Sequence, residues 1–133
     1  MVNLRNIINK LWRNKDNLDS KAKCFCEDQD CESPFDYIDR GIFIVPLNKI
    51  IGSVGKCNDF NSQFKPKSHV PPDRLNSLKQ ALWKRKSLPP VKLYKVKDEY
   101  YVVDGNHRIA AARELGRSDI MAKIVELTPS NNT

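Results

Sequence analysis

Hydrophobic and polar positions along the chain predict a short series of elements. Leu4, Ile7, Ile8, Leu11 and Trp12 recur at helical spacing, with Arg5, Lys10 and Arg13 off that face. The pattern predicts an amphipathic helix over residues 3–14. Ile42-Phe43-Ile44-Val45 reads as a strand closed by Pro46, and Leu47, Ile50 and Ile51 continue as a buried turn. Pro72 opens a helix with Asp73 in its first turn. Leu75, Leu78 and Leu82 form its buried stripe, Trp83 widens it and Lys84-Arg85-Lys86 ends it. Val91 to Val96 alternates as a half-buried strand, Lys97-Asp98 turns, and Tyr100 to Val103 returns. Asp104-Gly105 is turn chemistry, Asn106 is a good N-cap, and an Ala-rich helix runs to Gly116. Ile120 to Val125 is a last strand. This order predicts a compact α+β fold, a small mixed sheet with helices packed on it, over residues 36–127. Residues 1–35 precede it as a helix and a Cys-containing linker, and 128–133 follow as a polar tail.

Length and charge narrow the classes. The 133 residues suffice for one domain with a real core. Apolar runs fall short of a membrane span, and the N-terminus lacks the h-region of a secretory signal. The expectation is a soluble, cytoplasmic protein. A net charge of +7 favours phosphate-bearing or acidic partners: nucleotide, nucleic acid or an acidic protein. Residues 61–97 hold ten Lys or Arg against one acid, Asp73, and would form a basic, nucleic-acid-binding surface if they share a face. The stripe of the first helix would pack on the main domain, on a partner, or on its own copy in a homodimer. A membrane-surface role fits poorly, since the stripe is short and only modestly hydrophobic.

Four stretches carry candidate chemistry. Cys24, Cys26 and Cys31, with Cys57 as a fourth, offer thiolates for zinc, but paired Cys-x-x-Cys knuckles are missing. Acidic neighbours (Glu27, Asp28, Asp30, Glu32) disfavour thiolates, so free thiols without zinc are expected. Gly52-Ser53-Val54-Gly55-Lys56 looks like a phosphate loop but is not a Walker A, because the spacing is short and Cys57 replaces Ser or Thr. Residues 58–72, with Lys65 and Lys67, read as a mobile loop. The fourth stretch is Asp104-Gly105-Asn106-His107-Arg108, at the start of a helix. Free N–H groups and the helix dipole favour an anion there, with Arg108 and His107 as donors. A plain helix cap is the alternative reading.

Pro89-Pro90-Val91, the hairpin, the Asp104–Arg108 turn, the Ala-rich helix and the closing strand resemble the ParB N-terminal/sulfiredoxin-like superfamily, from about Val45 to Glu126. Small bacterial ParB-like proteins share the Val-Gly turn and the Asp-Gly-Asn/His-His-Arg turn. The resemblance implies a nucleoside di- or triphosphate ligand, with Mg²⁺, held by Gly105, Asn106, His107 and Arg108. Arg74 and Ser77 match a helix start that contacts nucleotide in sulfiredoxins, although a further Thr of that helix is Ala81 here. Lys56, Lys65 or Lys67 would reach in as loop 52–67 closes. Asn106 stands where sulfiredoxins carry a nucleophilic Cys and ParB proteins a Glu, so sulfiredoxin chemistry is excluded. NTPase or phosphoryl-transfer activity, as in a free-serine kinase, would need another base. Asp104 is the nearest, as base or as Mg²⁺ ligand. The competing readings are a nucleic-acid-binding or nuclease module and a non-catalytic protein-interaction module. Without a helix-turn-helix among these 133 residues, sequence-specific reading of a partition site by this chain alone is not expected, and without a carboxylate cluster of two-metal spacing a nuclease is not favoured.

Overall fold

The computed structural model describes residues 22–29 and 34–130. The elements run β1 (Lys23–Cys24), α1 (Phe25–Asp28), β2 (Phe35–Pro46), β3 (Ile50–Ser53), α2 (Asp73–Trp83), β4 (Val91–Val96), β5 (Glu99–Asp104), α3 (Asn106–Glu114) and β6 (Asp119–Pro129). The strands form one mixed sheet in the order β1-β3-β5-β4-β6-β2. Pairings β1–β3, β3–β5 and β4–β6 are parallel; β4–β5 and β2–β6 are antiparallel.

Alternation along β4 and β5 divides the core between two faces. Val91, Leu93 and Val102 point to the side covered by the helices, where Leu75 of α2 and Ile109 to Ala112 of α3 close the main cluster. Val96 and Tyr101 point to the other side, against Phe25 of α1, Leu127 and the half-buried Phe35 and Tyr94. Tyr101 is fully buried, and its hydroxyl accepts a hydrogen bond from Gln29 Nε2 at 3.3 Å. The small side chains Ala110, Ala111 and Ala112 let α3 lie close to the sheet.

The structure corrects several expectations. The stretch expected to be linker supplies β1 and α1, and Ala22 and Phe25 are buried. Ile50–Ser53 is a strand, not a buried turn. Gly52 is needed because a Cβ would run into the Lys23 carbonyl of β1. β2 is twelve residues long, with an irregularity at Asp39/Gly41, and β6 extends to Pro129 into the expected tail. Free thiols are absent among the described cysteines. Cys24 is disulfide-bonded to Cys57, and Cys26 is disulfide-bonded as well. Such bonds persist where the surroundings are oxidising and are lost where glutathione and thioredoxin reduce them. The helix over 3–14, its dimer role and Cys31 lie outside the described residues.

The hairpin–helix unit matches its sequence pattern, with one shift. Gly105, not Asn106, is the N-cap of α3, at φ +112°. A Cβ on Gly105 would stand 2.5 Å from Val91 Cγ1, in a backbone conformation that L side chains rarely adopt. Gly105→Ala should therefore cost about 2–4 kcal/mol, from left-handed strain and overpacking together. Urea unfolding of the two proteins checks this, and equal midpoints would contradict it. The Cys24–Cys57 bond closes a ring across a sequence separation of 33. Its removal in Cys57→Ser should cost about 3–4 kcal/mol by chain entropy. The same unfolding measurement, compared with the parent under oxidising and reducing conditions, checks that figure.

Candidate functional site

Three elements bring charged side chains toward the start of α3. The first is the turn after β3. Ser53 is fully buried; its Oγ accepts the Lys56 N–H at 3.0 Å and donates to the Val102 carbonyl at 3.4 Å. Cys57, next in the chain, is tied to β1 by its disulfide. Lys56 is thus fixed at its backbone while its side chain stays exposed. The second element is the first turn of α2, which carries Arg74 on its exposed side. The third is the α3 N-terminus with His107.

The loop between Lys56 and Val70, read from its composition as a mobile closing segment, is anchored to the domain at several points. Phe60 and Phe64 are fully buried, and their rings lie 6.2 Å apart. Asn61 Oδ1 accepts the N–H groups of Gln63 and Lys65 at 2.9 and 3.0 Å. The Phe60 carbonyl accepts the Ala22 N–H at 2.9 Å, and the Asp59 carbonyl accepts the Lys67 N–H at 2.9 Å. This rigid loop presents two residues that no sequence pattern marks. Asp59 lies 3.8 Å from Lys56 Nζ and 2.9 Å from His69 Nε2. Asp59 and His69 are ten residues apart in a loop without periodicity, so nothing in the order of residues signals the pair.

At α3, the His107 ring packs edge-on against Phe60, with centroids 5.2 Å apart. Burial first, then the charges of Arg74 and Lys56, push the His107 imidazole below its ordinary pKa, and Asp59 opposes them. Lys56, Arg74 and Asp59 therefore all act on His107. Asp59 is held below the usual carboxylate range, chiefly by its hydrogen bond with His69 and then by Lys56, His69 and His107 against the opposing effect of burial. Asn106 is buried, and its Oδ1 has no hydrogen-bond partner among the described residues.

Arg108 and Asp104 occupy the other flank of the turn. Arg108 Nη1 donates to the Pro89 and Pro90 carbonyls at 2.6 and 3.2 Å, and Nη2 donates to Asp104 Oδ2 at 3.1 Å. Arg108 therefore ties the entry of β4 to the end of β5, and Asp104 is its partner. Ser77 sits exposed further along α2, and Lys65 and Lys67 lie on the pinned loop. The basic run over 61–97 does not share one face. Lys92 lies on the Tyr94 side of the sheet and Lys95 on the Leu93 side, while Lys79 pairs with Glu114 at 2.8 Å. Among the described residues, no group of three His, Cys, Asp or Glu side chains gathers to hold a metal ion.

A profile of the ParB N-terminal domain matches residues 56–133. Among solved structures, a sulfiredoxin from Arabidopsis thaliana is 23% identical, with 62% of this chain and 82% of that chain covered and a TM-score of 0.49. The C-terminally truncated chromosome-partitioning protein ParB from Caulobacter crescentus, complexed with CTP-γ-S, is 19% identical. There the match covers 66% of this chain and 46% of that one, with a TM-score of 0.50. A mutant free serine kinase in complex with AMP is 20% identical over 72% of this chain and 35% of that one, with a TM-score of 0.46. The chain thus spans less than half of the ParB and kinase chains. No curated protein matches in sequence.

The lowered pKa of His107 has a sign in stability. The unfolded chain takes up the proton at higher pH than the folded one, so folding loses stability as pH falls through the ordinary imidazole range. His107→Gln removes that titration. Its stability should fall less than the parent's between about pH 8 and pH 5.5, which bracket that range. Urea unfolding at both pH values reads the difference, and parallel losses would contradict it.

Proposed function

The chain belongs to the ParB N-terminal domain family, and from that premise we propose that it binds the phosphates of a nucleoside di- or triphosphate at the N-terminus of α3. The observation that supports this reading is the convergence of Lys56, Arg74 and His107, from three separate elements, on that helix end. Free N–H groups of the first turn and the positive end of the helix dipole add to their charge. The ParB structure holds a nucleoside triphosphate analogue, CTP-γ-S; we extend that ligand class to this chain.

Each residue has a role in this reading. Lys56 and Arg74 are exposed cations that meet the phosphate oxygens. His107, whose proton affinity is lowered in the empty protein, would take up a proton more readily as phosphate arrives, because the incoming negative charge offsets its desolvation and the two cations. Arg108 keeps the turn in shape by its bonds to Pro89, Pro90 and Asp104. Gly105 allows the backbone to come close. Mg²⁺ would arrive with the nucleotide, held mainly by phosphate oxygens and water; Asp104 is left to Arg108.

Thermal shifts with ATP, ADP, CTP, GTP and pyrophosphate, each with and without Mg²⁺, test the reading. A ligand at about one hundred times its dissociation constant should add roughly 2.7 kcal/mol of stability. Arg74→Ala and Lys56→Ala should each weaken binding about tenfold or more, the loss of one charge-assisted contact. Binding should tighten as pH falls through the imidazole range, and His107→Gln should flatten that dependence. No shift with any of the five ligands would overturn the reading.

A further inference from the structure

We infer that Asp59 and His69 form a general-base pair that activates a water molecule against the terminal phosphate of the bound nucleotide. The inference rests on the phosphate-binding reading above and adds turnover to it. The Asp59 carboxylate lies 2.9 Å from His69 Nε2. With Nε2–H donated to the carboxylate, Nδ1 carries the lone pair, and the His69 side chain is 58% exposed, open to a water molecule. A carboxylate behind an imidazole fixes its tautomer and stabilises the imidazolium that forms.

The pair belongs to the same shelf as the phosphate-binding cations. Asp59 is 3.8 Å from Lys56 Nζ, and its charge acts on His107 at the start of α3. The charged groups that act on the Asp59 carboxylate of this pair are His69 and Lys56 on its own loop and His107 from α3. The loop that carries the pair is held by buried Phe60 and Phe64 and by the disulfide at Cys57. Asn106 cannot act as a base, and Asp104 is engaged with Arg108. The Asp59–His69 pair is the base that the turn itself lacks.

The step balances within the named groups. His69 Nδ1 takes a proton from water. The water oxygen forms a bond to the terminal phosphorus, the bridging P–O bond breaks, and its electron pair leaves on the shorter nucleotide. Inorganic phosphate departs, and the imidazolium returns its proton to solvent. His69 is the catalytic residue here, and Asp59 positions it.

The test uses the full chain with ATP or CTP and Mg²⁺. It measures nucleotide affinity by calorimetry and inorganic phosphate release across the imidazole range, for the parent, His69→Gln, Asp59→Asn and Asp59→Glu. For the parent, phosphate release should rise with pH, as a base-dependent step does. In His69→Gln, affinity should stay within about threefold while release falls by about 10²–10⁴ and loses its pH dependence. Asp59→Asn should lower release, with Asp59→Glu recovering part of it. A parent that binds nucleotide but releases no phosphate would overturn the inference and leave the binding reading intact. So would a His69→Gln protein with the parent's rate and pH profile. A parent that binds no nucleotide would overturn both.

Discussion

The close approach of the β5–α3 turn to the first residue of β4 is the constraint on which the rest depends. Gly105 fits against Val91 only because it has no side chain, and only because its φ of +112° is open to it. That fit ends β5 and starts α3 with no intervening loop. It places the helix start at the end of a central strand, where the His107 ring meets Phe60 of the loop after β3. Arg108 then locks the same turn from the other flank through Pro89, Pro90 and Asp104. The side chains of Ile109, Ala110, Ala111 and Ala112 carry the arrangement into the core.

The second support is the rigid loop between Lys56 and Val70. Its composition is polar and Pro-bearing, yet two fully buried phenylalanines and a disulfide hold it to the sheet. Polar loops of this kind take their order from a few anchors, and the polar residues between anchors are then displayed at fixed positions. Lys56, Asp59 and His69 are so displayed. The cost of gathering like charges shows in His107, whose proton affinity is lowered by burial and by Arg74 and Lys56. A site that repels its own protonation is suited to an anion.

The central part of this architecture is legible in the amino-acid order. The alternation of Val91 to Val96, the Tyr100 to Val103 strand, the Asp104-Gly105 turn and the Ala-rich helix are local patterns, and local patterns carry local structure. β1 and α1 are not legible. Lys23-Cys24 is too short to show a period, and its pairing with β3 depends on Gly52, far along the chain. The convergence of Arg74, His107 and Lys56 follows from resemblance and not from spacing, since the contacts are long-range. Arg108, expected with His107 as a donor to an anion, bonds to the Pro89 and Pro90 carbonyls and to Asp104, contacts that the order of residues does not reveal. Asp59 and His69 are invisible there because ion pairs within loops follow no periodicity.

The disulfide between Cys24 and Cys57 has a topological consequence. β1 and β2 occupy opposite edges of the sheet, and the chain from Cys24 to Cys57 connects them. That covalent ring passes across the whole width of the sheet and returns through β3. A single peptide-bond cleavage anywhere inside it leaves two fragments that remain one molecule, joined by sulfur and interleaved as neighbouring strands. Damage to the backbone in this region would stay hidden until a reductant separated the pieces.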